Sequence, residues 1–470
     1  MLANEETQGE SEGACTTRAT PDHLGGRLGQ RFLTRPLPNP SSHWWPGAQQ
    51  GMAGAVPGLG AGPKAFASSL GRKALAAVGG ARPSTPPSIP RVAVLGAGIS
   101  GLVCAMEVAA GGGEVALFEQ SRGPGGRASS RVVQGGAENG FVWDHGCQYF
   151  CPKSPEAVAA AQQWLEAGAV AEWNGRFGSV DVESGRWKEE ESGHQRLVGS
   201  PQMSSLAEHL LERACELGVS VHLGSKVDGL KWLDEEGAWS VASTHREQGV
   251  SETLADVVVA SDCLLAPVID DVESAQGLAA AMRSFGTTES ASSSFAAMLA
   301  VRGPTGLPDG IMVRSSETVA WMAKDSSKPG RSGCVPEDVE LWTVHASPGY
   351  AAKVMEERGL TRRGSLEHNA LLEEVGQALL QGAKEAVASA SEALGAPEGF
   401  PDLVHEPRCH RWAAGFPSTE GRGDSDGPRF KASSCGTVLA CGDWAAPSKE
   451  RGRVEAAILS GKAAARAALA

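Results

Sequence analysis

Three glycines, at positions 96, 98 and 101, follow directly on the apolar run from Val92 to Leu95. Each has a separate physical use at that spacing. Gly96 permits a tight turn. Gly98 has no side chain, so a diphosphate can approach its backbone. Gly101 lets the next helix pack closely on the strand. Ile99 and Ser100 open that helix, expected over about 100–110 and ended by the glycines at 111–113. Its first amides would point at the phosphates. A second strand, 114–119, closes on Glu119, 18 residues after Gly101. A carboxylate there accepts hydrogen bonds from ribose hydroxyls. The spacing predicts an adenine dinucleotide site, against the blander reading of glycines that only pack a core.

The chain then makes a second glycine turn, Gly125 and Gly126, followed by Arg127. A guanidinium there is placed to meet the same diphosphate as a bidentate partner. This combination resembles the FAD-dependent amine-oxidase-like flavoproteins, whose pattern is Glu, five residues, then Gly-Gly-Arg. The resemblance implies FAD; the spacing alone does not choose the dinucleotide, and since no cysteine lies in an attachment motif the FAD is expected to be held without a covalent link. Six further stretches are similar in order to the renalase-like branch of that superfamily. They are "DHGCQYF" (144–150), "RLVGSPQMSSLAEHL" (196–210), "SSKPGR" (326–331), "WTVHASPGY" (342–350), "HRWAAGFP" (410–417) and "GDW…GRVEAAILSG" (442–461). Two departures stand out. Ser129 and Ser130 follow Arg127 where Thr-Arg is commoner, and six residues separate Trp444 from Arg451.

Other pieces read as the frame for these residues. The stretch 218–233 reads as paired strands, 254–261 and 436–444 as buried strands, and 453–470 as a helix. Val227 falls where the resembling flavoproteins bind adenine through backbone groups. Gly442 allows backbone approach, and Asp443 beside it can bond ribityl hydroxyls. Arg453 and Val454 begin the last helix, whose amides would face the flavin pyrimidine. The segments 294–301, 318–323 and 340–347 read as antiparallel strands, and 365–394 as one or two helices with a tail weakened by Gly382.

The expected fold is α/β: a Rossmann-like FAD-binding domain of amine-oxidase type, interleaved with a smaller α+β substrate domain on an antiparallel sheet. The FAD-binding domain takes residues 91–150, 196–270 and 430–470; the substrate domain takes 151–195 and 271–429. Candidate pocket residues are His345, His410 and Trp412 for catalysis, Gln148 and Tyr149 beside the cofactor, and Arg411 for an anion. Lone histidines and tryptophans more often pack a core. Lys324 and Lys328 raise the lysine that amine oxidases place near the flavin, but both suit a solvated turn better.

The resemblance implies hydride transfer from a reduced nicotinamide nucleotide, a dihydro-NAD(P) isomer, with electrons passed to dioxygen to give hydrogen peroxide. An amine oxidase, a desaturase or protoporphyrinogen-oxidase-like enzyme, and a flavin-binding scaffold without turnover are the alternatives. A net charge of −13 argues against a nucleic-acid surface. No apolar run reaches the roughly 20 residues of a membrane span. The ten cysteines hold no CxxC pair, so no metal site is expected. Residues 1–90 read as a transit peptide and linker: no Asp or Glu occurs between His23 and Met106, while arginines and lysines recur. The acidic opening residues fit this less well, and a start at Met52 gives a cleaner signal. A plastid is the favoured address, with mitochondrion or cytosol as alternatives.

Overall fold

The computed structural model describes residues 89–470, except 137, 192, 194, 287–290, 332, 397–398, 418–426 and 448. The acid-poor extension read as a transit peptide lies outside the described residues, which all belong to one compact unit.

The strand Arg91–Leu95 sits inside a six-stranded sheet. Val257–Ala260 and Glu114–Glu119 flank it in parallel, with Val438–Ala440 and Ser220–Leu223 parallel beyond them. Lys431–Ala432 adds one antiparallel edge. Alternation explains why this strand is apolar throughout. Val92 and Val94 enter a core of helices, including Ile99–Ala110, Ser204–Glu216 and Val454–Ala468. Ala93 and Leu95 enter a second core, on the other face, under an antiparallel meander. That meander is Ser225–Leu233, Ala238–His245 and Gly249–Ala255.

The stretch 218–233, read as paired strands, does form two strands, but they do not pair with each other. Ser220–Leu223 joins the parallel sheet, and Ser225–Leu233 pairs with Ala238–His245. Gly224, at φ +69°, turns the chain from one sheet into the other.

A seven-stranded sheet carries the remaining strands. Its order is Arg408–Pro417, Ala291–Arg302, Val339–Ala346, Val319–Lys324, Gly310–Arg314, Phe177–Asp181 and Arg186–Glu189. It is mixed rather than purely antiparallel, because Phe177–Asp181 runs parallel to Gly310–Arg314. The helices Pro348–Arg358 and Leu366–Ser389 cover one face, burying Phe295, Leu299, Trp342 and Val344. The long helix runs on through Gly382 to Ser389. A Cβ on Gly382 would stand 2.2 Å from Thr318 Oγ1, so the glycine serves close packing.

Candidate active site

The two glycine turns meet. Gly98 and Gly125 form a bridge, and the Gly125 N–H donates to the Ala97 carbonyl at 2.9 Å. Around the first turn, close packing demands glycine at two positions and leaves space at a third. A Cβ on Gly96 would lie 2.5 Å from Ser261 Oγ, and one on Gly101 would lie 2.0 Å from the Gly96 carbonyl oxygen. A Cβ on Gly98 would meet nothing within 4 Å, although its φ of −72° suits any residue. Open space in front of the Gly98 backbone, at the start of the helix Ile99–Ala110, fits a dinucleotide diphosphate.

Glu119 is buried and organises this turn. One carboxylate oxygen accepts the Ala97 N–H at 2.8 Å and the other the Ser121 N–H at 2.7 Å. Its remaining lone pairs are what a ribose would use. Beside it lies an open pocket of about 380 Å³, lined by Gln120, Gly224, Lys226, Asp228, Thr244 and Arg246. Val227 is buried at a bulge in the strand that borders this pocket.

Arg127 and Asp443 come together. Nη1 and Nη2 of Arg127 reach the two Asp443 oxygens at 2.8 and 2.5 Å, and Nη1 also donates to the Gly415 carbonyl at 3.2 Å. This fork ties the second glycine turn to the end of the last parallel strand and to the seven-stranded sheet. Gly442, at φ +137°, donates its N–H to Ser460 Oγ at 2.9 Å. A Cβ on Gly461 would lie 2.4 Å from the Ser100 carbonyl oxygen, so the first and last helices pack backbone against backbone. Arg453 is the residue before the last helix, and Val454 its first.

The face of the seven-stranded sheet away from these two helices carries the catalytic candidates. Ala296 pairs with His410 on one side and with His345 on the other, and His345 pairs with Trp321. Directly opposed residues share a face, so these four form one cross-strand row. Trp412, two residues after His410, stands on the same face. Its indole N–H donates to the His145 carbonyl at 2.9 Å, and its ring stacks on His145 at 5.0 Å. His410 contacts both rings, at 4.4 Å from Trp412 and 4.7 Å from His145. The sequence singled out His345, His410 and Trp412, and the structure brings them together; His145 is a fourth member it passed over. Arg411 is not among them. Alternation turns it to the helix-covered face, where it donates to the Thr361 carbonyl at 3.3 Å and touches Met355 Sδ.

Burial holds the three histidines neutral. It pushes His145 and His345 down to about 4 and His410 to about 3, with like-charge repulsion from neighbours adding to the His410 shift. The unfolded chain takes up these protons near pH 6.5, and the folded chain only near pH 3–4. Stability is therefore full above about pH 6.5 and is lost as pH falls toward 4. Each histidine accounts for about 2 kcal/mol between pH 7 and pH 5. The urea midpoint is expected to fall clearly over that range and to fall less in His410→Gln. Equal midpoints at pH 7 and pH 5 would contradict the buried neutral rings.

Packed against this same face is a charge cluster that the sequence reading missed. Asp144 accepts from Lys328 Nζ at 2.9 Å, Arg331 Nη2 at 2.5 Å, Ser130 Oγ at 2.7 Å and the Met203 N–H at 3.0 Å. Asp325 accepts from Lys328 at 2.8 Å, Arg331 at 3.0 Å and the Thr343 hydroxyl. Burial alone would raise the Asp144 carboxyl, but Lys328 and Arg331 hold it well below the usual carboxylate range. Lys328 is 2% exposed, not solvated in a turn. Its third proton points to Gln148 Oε1 at 3.3 Å, so all three donors are used. Gln148 in turn faces His345 at 3.5 Å and donates to the Asp144 carbonyl. Lys324 lies with Glu340 and the Leu307 carbonyl, against the Trp342 ring. Tyr149 packs among Trp173 and Trp321, with the Arg196 guanidinium over its ring.

Residues 94–164 match the model of an NAD(P)-binding Rossmann-like domain. The glycine turn, Glu119 and Arg127 all fall within that match. Over most of the chain the fold is also similar to solved structures. An oxidoreductase from Methanosarcina mazei superposes with a TM-score of 0.54 at 14% identity, covering 79% of this chain and 98% of its own. A wild-type putrescine oxidase with putrescine bound superposes with a TM-score of 0.51 at 13% identity, covering 81% of this chain and 99% of its own. At this identity the likeness establishes a shared fold. Among the described residues, no helix is long and apolar enough to cross a membrane, and no three or more His, Cys, Asp or Glu gather to hold a metal.

Proposed function

We propose that the protein is an FAD-dependent oxidoreductase, taking hydride from a reduced nicotinamide-type donor of the dihydro-NAD(P) isomer class and passing the electrons to dioxygen. The observation that carries this reading is the junction of the Gly98 and Gly125 turns, tied by Arg127 and Asp443 to a sheet face of neutral histidines and Trp412. Both solved structures named above, an oxidoreductase and an oxidase, support the class. Bound FAD supplies the acceptor for hydride and the route of two electrons onward. The donor loses hydride, and that hydride with one solvent proton converts dioxygen to hydrogen peroxide.

The residues of this chain bind and orient. The bare Gly98 backbone and the amides opening the helix Ile99–Ala110 receive the diphosphate. Glu119 offers acceptors to ribose. Trp412 offers an aromatic face to a flat ring, and the uncharged imidazoles of His345 and His410 offer hydrogen bonds without repelling or attracting charge. No acid–base dyad is required for hydride transfer.

Amine oxidation is the second reading, and the putrescine oxidase neighbour favours it. An ammonium substrate wants an unpaired carboxylate. The buried acids against this sheet face, Asp144 and Asp325, are both taken by Lys328 and Arg331. Lys328 has no donor left for water beside the cofactor. These two facts favour an uncharged ring over an amine. Anaerobic mixing of the FAD-loaded protein with dihydro-NAD(P) isomers should bleach the flavin absorbance, and putrescine should not. Bleaching by putrescine alone would reverse the preference, and bleaching by neither would leave a flavin-binding scaffold. The acid-poor sequence before residue 90 supports a plastid address, which imaging of a fluorescent fusion of that segment tests.

A further inference from the structure

The loop joining the helices Pro348–Arg358 and Leu366–Ser389 turns a short basic and apolar tract outward. It reads Gly359-Leu360-Thr361-Arg362-Arg363-Gly364-Ser365, and Leu366 opens the second helix. Its inner side is anchored at Thr361. The Thr361 carbonyl accepts from Arg411 at 3.3 Å, and the Thr361 hydroxyl meets the ring of buried His368 at 2.9 Å. The Ser365 N–H donates to the Arg362 carbonyl at 3.0 Å, around Gly364 at φ +82°. Ser365 Oγ accepts the His368 N–H at 3.1 Å and so caps the long helix.

Arg362, Arg363 and Gly364 are exposed, Ser365 is half-buried, and Leu366 is 89% exposed, more than any other large apolar side chain among the described residues. A single exposed leucine is ordinary. This one directly follows a serine that two arginines precede, and among the described residues neither guanidinium makes an ion pair or hydrogen bond. The run from Arg362 to Leu366 therefore presents two free cations, a hydroxyl and an apolar side chain within five consecutive residues, on a chain of net charge −13.

We propose that Ser365 is a phosphorylation site for an arginine-directed protein kinase, which reads Arg362, Arg363 and Leu366. The two guanidiniums suit carboxylates lining a kinase's peptide groove, and the leucine suits an apolar pocket beside the transferred group. Gly364 lets the segment between them extend. Seating Ser365 opens one turn and one capping hydrogen bond at a helix end, where local opening is easiest. Ser365 Oγ attacks the γ-phosphorus of magnesium-bound ATP. The new O–P bond replaces the bond to the β–γ bridging oxygen, ADP departs, and the hydroxyl proton passes to a carboxylate of the kinase. The product adds about −1.5 to −2 of charge at the start of a 24-residue helix, where the dipole and the two neighbouring arginines favour it. Glu367 is the acid of that first turn, and the two arginines outweigh it. The inference is independent of the hydride-donor reading.

The test incubates the native full chain with magnesium-ATP and the catalytic subunit of an arginine-directed serine kinase, and maps phosphopeptides by mass spectrometry. Ser365 should be the principal site of modification. Two variants control the assignment, and thermal unfolding confirms that each folds. Ser365→Asn keeps a capping side chain but offers no hydroxyl, so it should fold as wild type does and lose this modification. The double variant Arg362→Gln with Arg363→Gln keeps the hydroxyl and should be phosphorylated at Ser365 about tenfold more slowly. Phosphate found only on other residues, an unchanged rate at Ser365 in the arginine variant, or modification that requires prior denaturation would overturn the assignment.

Discussion

Gly98→Val yields a folded protein that holds FAD much more weakly. The backbone at Gly98 is extended, at φ −72° and ψ 173°, and a Cβ there meets no protein atom within 4 Å. The substitution is therefore expected to leave thermal stability of the cofactor-free chain within about 0.5 kcal/mol, as for changes that disturb no packing. The same side chain occupies the space assigned to the diphosphate. Overpacking costs about 1–3 kcal/mol, which is roughly 5- to 150-fold in Kd, with valine toward the upper end. Flavin fluorescence titration of cofactor-free wild type and variant measures the difference. Gly101→Ala gives the contrast: its Cβ would stand 2.0 Å from the Gly96 carbonyl oxygen, so that variant should lose fold stability as well as cofactor. Equal FAD affinity in wild type and Gly98→Val would place the diphosphate elsewhere.

Asp144→Asn should be the most damaging single change in the buried charge cluster. Asp144 and Asp325 are fully buried, and together they compensate the buried cations Lys328 and Arg331. Removing one carboxylate leaves two cations to share Asp325. Breaking a buried pair by removing one partner costs about 3–5 kcal/mol, because the remaining charge is uncompensated. Lys328→Met introduced into the same chain removes one of those cations. The double variant should recover part of the loss, a non-additivity expected only of groups in one network. Urea unfolding of the two single variants and the double variant reads this directly. Strictly additive losses would show that the four charges act separately.

The nucleotide half was legible because its signals are local. A strand, three glycines, a helix and a second strand ending in Glu119 fall within 28 residues, Val92 to Glu119, and each has its own physical reason. The last strand and helix were legible for the same cause. The seven-stranded sheet was read as antiparallel because nothing local marks Phe177–Asp181 as a parallel partner of a strand 133 residues further on. Arg411 was read as a pocket residue beside Trp412, although period-2 alternation already placed the two on opposite faces. The charge cluster was out of reach. Asp144 and Lys328 stand 184 positions apart; Lys328 was read as solvated in a turn, and Asp144 only as part of the stretch 144–150. The turn signal around Lys328 was real, but tertiary burial overrode the solvation such a turn ordinarily brings. Arg127 and Asp443 were each assigned to the cofactor, and the fork between them was not foreseen because it closes a gap of 316 residues.

The most direct test of the account is the visible absorbance of the purified full-length chain, followed by dialysis against excess FAD. Yellow protein carrying one FAD per chain, released intact on denaturation, is the predicted result. Protein that is colourless as purified and takes up no flavin on reconstitution would contradict it.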